Sequence, residues 1–478
     1  MKKKVDILNL EWESNGRDAN IIEPVLVALE DRYGYSIVRS SIWYGVIKLL
    51  YYRPKVLLMS NQMGAINNYT IFYIAHKLGI ITIALISEGM PVRSRKDKEK
   101  NVANIFFWGC SPSHKRIWDL KLLWSASSRQ IFFKHIQGIE NYNVRVSGGT
   151  GFDRYSLFKY DSSKIKKQMG DKLNQYKRIV LMLGYGFDKI MERKYDESFI
   201  LTKEEWEWVC QQRIGVGAVY EEVIRNNPEV LFVIKQHPGS LASKNTEFEN
   251  IVHNYENVIE IGGTSREKNF EVGKALCIAD IVIAYDSTAC LEAWLMGKTT
   301  ILVNPVEKDY PRTSLYKGSP NAKTAKELND YIGEYYNTGS VKDFEERLEQ
   351  RRRCIEEYIQ FDDGLNYLRA SKLIDEQIKL SNKKANTMNH EDKKMLANEF
   401  FSEVKEWIIA NTFMGLFRKN SQKAYIRRQE GYNKEIRNGL TKKFRNAINQ
   451  YEVGREQEIE KILANYDGLT NVDKEENT

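Results

Sequence analysis

The sequence predicts an α/β fold in which two Rossmann-like parallel-sheet domains face a cleft, followed by a C-terminal helical extension. Three observations lead there. Short, strongly apolar runs alternate with helical stretches in two successive blocks, and strands separated by helices imply parallel pairing. A polar stretch at about 148–176, with clustered Gly, Ser and Lys, separates the blocks. Beyond residue 380 the alternation gives way to helix-forming sequence with concentrated positive charge.

In the first block, strands are expected near residues 4–10, 35–39, 55–60, 80–87, 104–109 and 142–147, with a helix near 20–33. The second block supplies strands at 177–184, 230–234, 258–261, 280–283 and 300–303. After Pro320 the pattern turns helical, and Phe361–Leu365 is a break before a helix near 366–380. Residues 381–392 are polar and aperiodic, as a linker is. The expected domains are therefore two Rossmann-like units at 1–165 and 166–380, then a linker at 381–395 and a separate basic helical tail at 396–478.

At 478 residues the chain has room for roughly three domains of about 150 each. Its 42% hydrophobic and 28% charged residues suit a folded globular protein. No run of about 18 apolar residues occurs, so no spanning helix is expected. The start, Met1–Leu10, reads as a first strand because its apolar run is too short for a secretory leader. Five scattered cysteines without metal-ligand spacing suit a reduced, cytoplasmic setting.

Charge is uneven. Between Arg418 and Arg445 there are ten Lys or Arg against two acids, an excess equal to the whole chain's +8. Aromatics (Trp407, Phe413, Phe417, Tyr425, Tyr432 and Phe444) are interspersed with this charge. The 400–445 tail is therefore expected to touch an anionic membrane surface, placing the protein peripherally at the inner face of the cell membrane. A solvated cap or a homo-oligomer contact is the alternative, and a non-enzymatic membrane-associated adaptor is the corresponding rival function. Charge confined to the tail, without a recognised binding module, argues against a nucleic-acid partner.

Ligands of parallel α/β sheets bind at the carboxyl ends of the strands, and small polar groups collect there in this sequence. Ile234-Lys-Gln-His237-Pro238 ends one strand, with Pro238 holding His237 in an extended turn from which its imidazole can donate to phosphate. Ser287 and Thr288 end the strand 280–283 and open a helix, where they can contact phosphate or merely cap. Glu292 binds a sugar hydroxyl or supports its own helix. Gly184 and Gly186, and likewise Gly262 and Gly263, follow strands at points where a ligand can approach backbone amides. In the first block, strand 80–87 runs into Glu88-Gly89, and Glu88 is the candidate general base or a loop carboxylate that pairs with Arg93 or Arg95, with Gly89 free to form a tight turn. Arg17, after the first strand, is a candidate acceptor or phosphate contact or simply part of a turn at Asn15–Asp18. No metal-ligand set, Walker loop or Asp-x-Asp pair at a strand end appears, so no metal and no cofactor is expected.

The ordered set Glu88-Gly89, His237-Pro238 and Ser287-Thr288, across two α/β halves, resembles bacterial GT-B glycosyltransferases of surface-carbohydrate and capsule biosynthesis that use CMP-activated sugars, such as sialic acid or Kdo. The resemblance covers roughly residues 1–380. It implies metal-independent, inverting transfer from a CMP-linked nonulosonate to a glycan or glycolipid acceptor, with Glu88 as base and His237, Ser287 and Thr288 at the phosphate. The acidic motif here is Ser-Glu-Gly, without the doubled acid. The run from Glu292-Ala293 to Gly297-Lys298 also resembles UDP-sugar 2-epimerases and the polyol-phosphate transferases of teichoic acid assembly, so a CDP-polyol phosphotransferase and an epimerase stand as alternatives.

Overall fold

The computed structural model describes residues 5–60, 66–87, 117–135, 144–191, 202–237, 240, 245–261, 270–308, 312–384, 387–411 and 432–469. The described chain divides into two compact units, one formed by 5–87, 117–157 and 357–469, the other by 158–356.

The first unit holds a six-stranded, wholly parallel sheet: β1 (Ile7–Glu11), β2 (Ile37–Ser41), β3 (Val56–Met59), β4 (Ile81–Ala84), β5 (Leu120–Leu123) and β6 (Val144–Val146). Its spatial order is β2-β1-β3-β4-β5-β6, so the sheet grows in two directions from β1. The strands are short and all but β2 are buried along most of their length. Strands covered on both faces read as continuous apolar runs. β5 is the exception that the sequence pattern missed, because Lys121 interrupts its run while being only 1% exposed. Its ammonium lies over the Trp118 ring at 4.9 Å and the Phe132 ring at 5.5 Å. The strand expected at 104–109 lies outside the described residues.

The second unit repeats the architecture with β7 (Arg178–Leu183), β8 (Val230–Lys235), β9 (Val258–Ile261), β10 (Ile281–Ala284), β11 (Thr299–Val303) and the two-residue β12 (Asn321–Ala322). The order is β12-β11-β10-β7-β8-β9, again all parallel. β7 pairs with β8 on one side and β10 on the other, and the connections diverge between β7 and β10. That is a topological switch point, where an open α/β sheet leaves a crevice at its carboxyl edge.

Three domain expectations are corrected. The division falls between Leu157 and Phe158 rather than after residue 165, and residues 357–380 belong to the first unit. Asp153 is the reason: its buried carboxylate accepts hydrogen bonds from Asn366 Nδ2 at 2.8 Å and Tyr367 N at 2.7 Å, which seats the 366–380 helix. Gly148, at φ +82°, makes room for that seat, since a Cβ there would lie 1.8 Å from Asn366 Oδ1. The stretch expected as a linker is pinned as well: Lys383 Nζ donates to Asp119 Oδ2 at 2.5 Å and to Ile80 O at 2.9 Å.

The described part of the tail is likewise no separate unit. The helix Lys434–Glu452 packs on the helix Arg17–Asp31, burying Phe444 and Ile448. Arg437, 1% exposed, places Nη2 at 2.6 Å from Glu23 Oε2, itself fully buried, while Arg39 Nε donates to Glu23 Oε1 at 2.7 Å. Arg445 pairs with Asp31 and Glu30. The helix His390–Asn411 docks through Glu403, which accepts from the Val46 and Ile47 amides at 3.1 and 2.9 Å, the open first turn of the helix Gly45–Tyr52. Buried Arg437 and half-buried Arg445 are both matched by carboxylates of the helix Arg17–Asp31, so these two charges serve the fold. The rest of the basic window up to Gly431 lies outside the described residues. Among the described residues no helix is long and apolar enough to cross a membrane.

Arg437→Met should cost about 3 kcal/mol, the lower end for breaking a buried pair because Arg39 still faces Glu23. Urea denaturation checks this, and a midpoint equal to that of the unaltered chain would contradict the docked position of the helix.

Candidate functional site

In the second unit, the carboxyl edge around the switch point is built from three strand ends. β7 runs into Gly184-Tyr185-Gly186, β8 into Gln236-His237, and β10 into Tyr285-Asp286-Ser287-Thr288. The structure brings these segments together as the sequence placed them on one edge. It also gives the two glycines a definite task. A Cβ on Gly184 would lie 2.9 Å from His237 N, and one on Gly186 would lie 3.0 Å from His237 Cγ and 3.1 Å from Nδ1. Gly186 also has φ +83°, a backbone that side chains disfavour. The β7 loop is therefore bare so that the exposed His237 can lie against it. Pro238, Gly262 and Gly263 lie outside the described residues.

The helix after β10, Ala289–Leu295, is seven residues long. Ser287 Oγ accepts the Ala289 amide at 3.2 Å, whereas the exposed Thr288 makes no side-chain cap. The Thr288 hydroxyl thus makes no capping hydrogen bond to the helix's own amides. Glu292 sits half-buried on this helix and acts electrostatically on Lys235 at the end of β8. Burial pulls the Lys235 ammonium below its usual range, and the Glu292 charge works against that shift. Lys298 is structural, donating to Ala279 O at 2.7 Å.

Two tyrosines flank the switch point. Tyr185, after β7, and Tyr285, after β10, meet edge to face with centroids 4.8 Å apart, and Phe187 packs on both. Behind them Glu247 accepts from the Tyr185 amide at 2.8 Å, fixing the bare loop from below. Burial pushes the Glu247 carboxyl up to about 7, with Asp188 adding to the rise and Arg213 opposing it. Sequence reasoning passed over Glu247 and Lys235, the first because it stands in a loop without periodicity, the second because it reads as an ordinary strand-end charge.

The first unit presents a different edge. At its own switch, between β1 and β3, Glu11 is 2% exposed and accepts from Asn9 Nδ2, Ser60 N and Ser60 Oγ at 2.8, 3.0 and 2.6 Å. Burial, with Asp18 nearby, pushes this carboxyl up to about 7. Arg17 is exposed beside Asp18 at 3.6 Å. Glu88 and Gly89 lie outside the described residues. Among the described residues no group of three or more His, Cys, Asp or Glu is arranged to hold a metal ion.

No family model and no curated protein matches the sequence. Among solved structures, the chain is similar to a putative UDP-N-acetylglucosamine 2-epimerase from Listeria monocytogenes, at 10% identity and a TM-score of 0.51 over 81% of this chain and all of that one. S. aureus MnaA in a co-structure with UDP is similar at 11% identity and 0.49, over 81% of this chain and all of that one. The wall teichoic acid polymerase TagF is similar at 12% identity and 0.46, over 78% of this chain and 89% of that one. The Listeria likeness shows a shared fold, and the chain has a GT-B-like fold of two parallel-sheet α/β units with C-terminal helices.

Glu247 carries a prediction about pH. Its folded value of about 7 lies above the ordinary 4.5, so its contribution to stability is present in full below about 4.5 and is lost as pH rises through about 7. The loss is on the order of 3 kcal/mol. Glu247→Gln, a neutral mimic, should flatten the fall of Tm across that window, and an unchanged slope in a pH series of thermal melts would contradict the assignment.

Proposed function

We propose that the chain is a nucleotide-sugar enzyme of bacterial surface-glycan synthesis, a glycosyltransferase that holds the donor phosphate at the carboxyl edge of the second sheet. The single observation that carries this reading is the placement of His237 at the end of β8 and of Ser287 and Thr288 at the end of β10, on either side of a β7 loop stripped of side chains at Gly184 and Gly186. His237 and the Thr288 hydroxyl donate to phosphate oxygens in this reading, and Ser287 positions the turn. Glu88 remains the proposed base that takes the acceptor's proton as the sugar is transferred with inversion, and the resemblance in sequence implies a CMP-linked nonulosonate as donor.

The second reading, a UDP-sugar 2-epimerase, is supported by the Listeria structure, whose whole length the likeness covers. The two differ in what they need. A transferase releases nucleotide only when an acceptor hydroxyl is present, whereas an epimerase converts its sugar nucleotide alone.

Thermal shift against CMP, CDP and UDP identifies the nucleotide, since a selective ligand at a hundredfold excess over Kd stabilises by about 2.7 kcal/mol. His237→Ala should lower affinity for that nucleotide by roughly tenfold or more, the loss of a charge-assisted hydrogen bond. Glu88→Gln should leave nucleotide binding intact and abolish transfer in a nucleotide-release assay with cell-surface glycan extract. No shift with any of the three nucleotides would overturn the proposal, and acceptor-independent conversion of UDP-N-acetylglucosamine would replace it with the epimerase.

A further inference from the structure

Arg312 stands just after the carboxyl edge of the second sheet, and its surroundings are unusual for a charge. Its guanidinium lies over three aromatic rings, Trp208 at 4.3 Å, Tyr316 at 4.4 Å and Tyr285 at 4.9 Å. Nη1 donates to Tyr285 Oη at 2.9 Å, and Nη2 donates to Asn304 Oδ1 at 2.5 Å and to Tyr316 Oη at 3.4 Å. Every one of these partners is neutral. Burial holds both tyrosine hydroxyls well above their usual range, so neither becomes a phenolate that could serve as counter-ion. Among the described residues no carboxylate forms an ion pair with Arg312, in contrast to Arg437, Arg39, Arg369 and Arg445.

Placement gives that charge a meaning. Tyr285 is the first residue after β10, Asn304 the first after β11, and Thr313 Oγ1 donates to Asp286 Oδ1 at 3.4 Å. Arg312 therefore crosses the ends of two adjacent strands and adjoins the Tyr285–Thr288 turn. Rings and dipoles compensate a half-buried guanidinium only in part. They do hold its plane fixed, and a guanidinium already fixed in place loses little entropy when an oxygen of an anion docks on one of its remaining N–H groups.

We propose that Arg312 is a binding residue for the nucleotide donor, meeting the phosphate oxyanion from the side of β10 and β11 opposite to His237. Trp208, Tyr285, Tyr316 and Asn304 are then the mount that aims it, and the ligand supplies the anion where no described carboxylate forms an ion pair. The inference rests on the reading of this edge as a nucleotide site and adds to it a cation that the sequence did not reveal.

Calorimetric titration of the full chain tests it with ligand pairs that differ only in phosphate: cytidine against CMP and CDP, and uridine against UDP. Arg312→Gln should weaken the phosphorylated ligand by roughly ten- to hundredfold and leave the nucleoside within about twofold of the wild type. Arg312→Lys keeps the charge, guards against misfolding of the Gln variant, and should fall between the two. Equal losses for nucleoside and nucleotide, or none for either, would overturn the inference and leave Arg312 a packing residue. Failure of the unaltered chain to bind any of these ligands would overturn the nucleotide reading itself, a result distinct from the first two.

Discussion

The arrangement of the second unit depends on one close approach, that of His237 to a loop without side chains. A parallel sheet can present a histidine at the end of β8 only if the end of β7 leaves space beside it, and Gly184 and Gly186 leave that space to within about 3 Å of the histidine backbone and ring. Once His237 is seated, the other parts follow from the strand order. β10 flanks β7 on its other side, so the Tyr285–Thr288 turn must emerge next to the same loop. Glu247 holds the loop's amide from beneath, and Arg312 ties the ends of β10 and β11 from the far side. The glycines are thus explained by a protein neighbour, and any ligand at this edge meets a surface that the fold has already shaped.

The first unit puts its polar groups to a different use. Glu11, at the corresponding switch of that sheet, is enclosed by Asn9 and Ser60. Glu23, buried in the first helix, is matched by Arg39 from β2 and by Arg437 from near the other end of the chain. The C-terminal helices are therefore structural members of the first unit. At its last strand the same principle recurs: Val146 N donates to Gly468 O at 2.9 Å, so C-terminal backbone closes an edge that would otherwise offer unpaired groups.

Much of this was legible in the sequence, and the exceptions have physical causes. Strands such as Val56–Met59 and Ile281–Ala284 are fully buried runs of large apolar residues, a pattern that needs no tertiary information. Leu120–Leu123 escaped because a lysine inside a buried strand looks like a boundary until the rings over it are seen. The tail was read as a free basic module because local charge counts cannot show that Arg437 and Arg445 meet acids of the first helix. The site divides in the same way. His237, Ser287, Thr288 and the glycines follow strand ends, which periodicity marks, whereas Glu247 and Arg312 belong to aperiodic loops and gain their roles only by folding. Gly148 belongs to the polar stretch that separates the two blocks in the sequence, and in the fold it is the seat of Asn366.

The most direct test of the central claim is hydrogen–deuterium exchange without nucleotide and with each of CMP, CDP and UDP at saturating concentration. Binding at the second unit's edge predicts slowed exchange in peptides covering 184–188, 235–237 and 285–291, with the first unit's strands unchanged. Protection confined to the first unit, or none around His237, would contradict it.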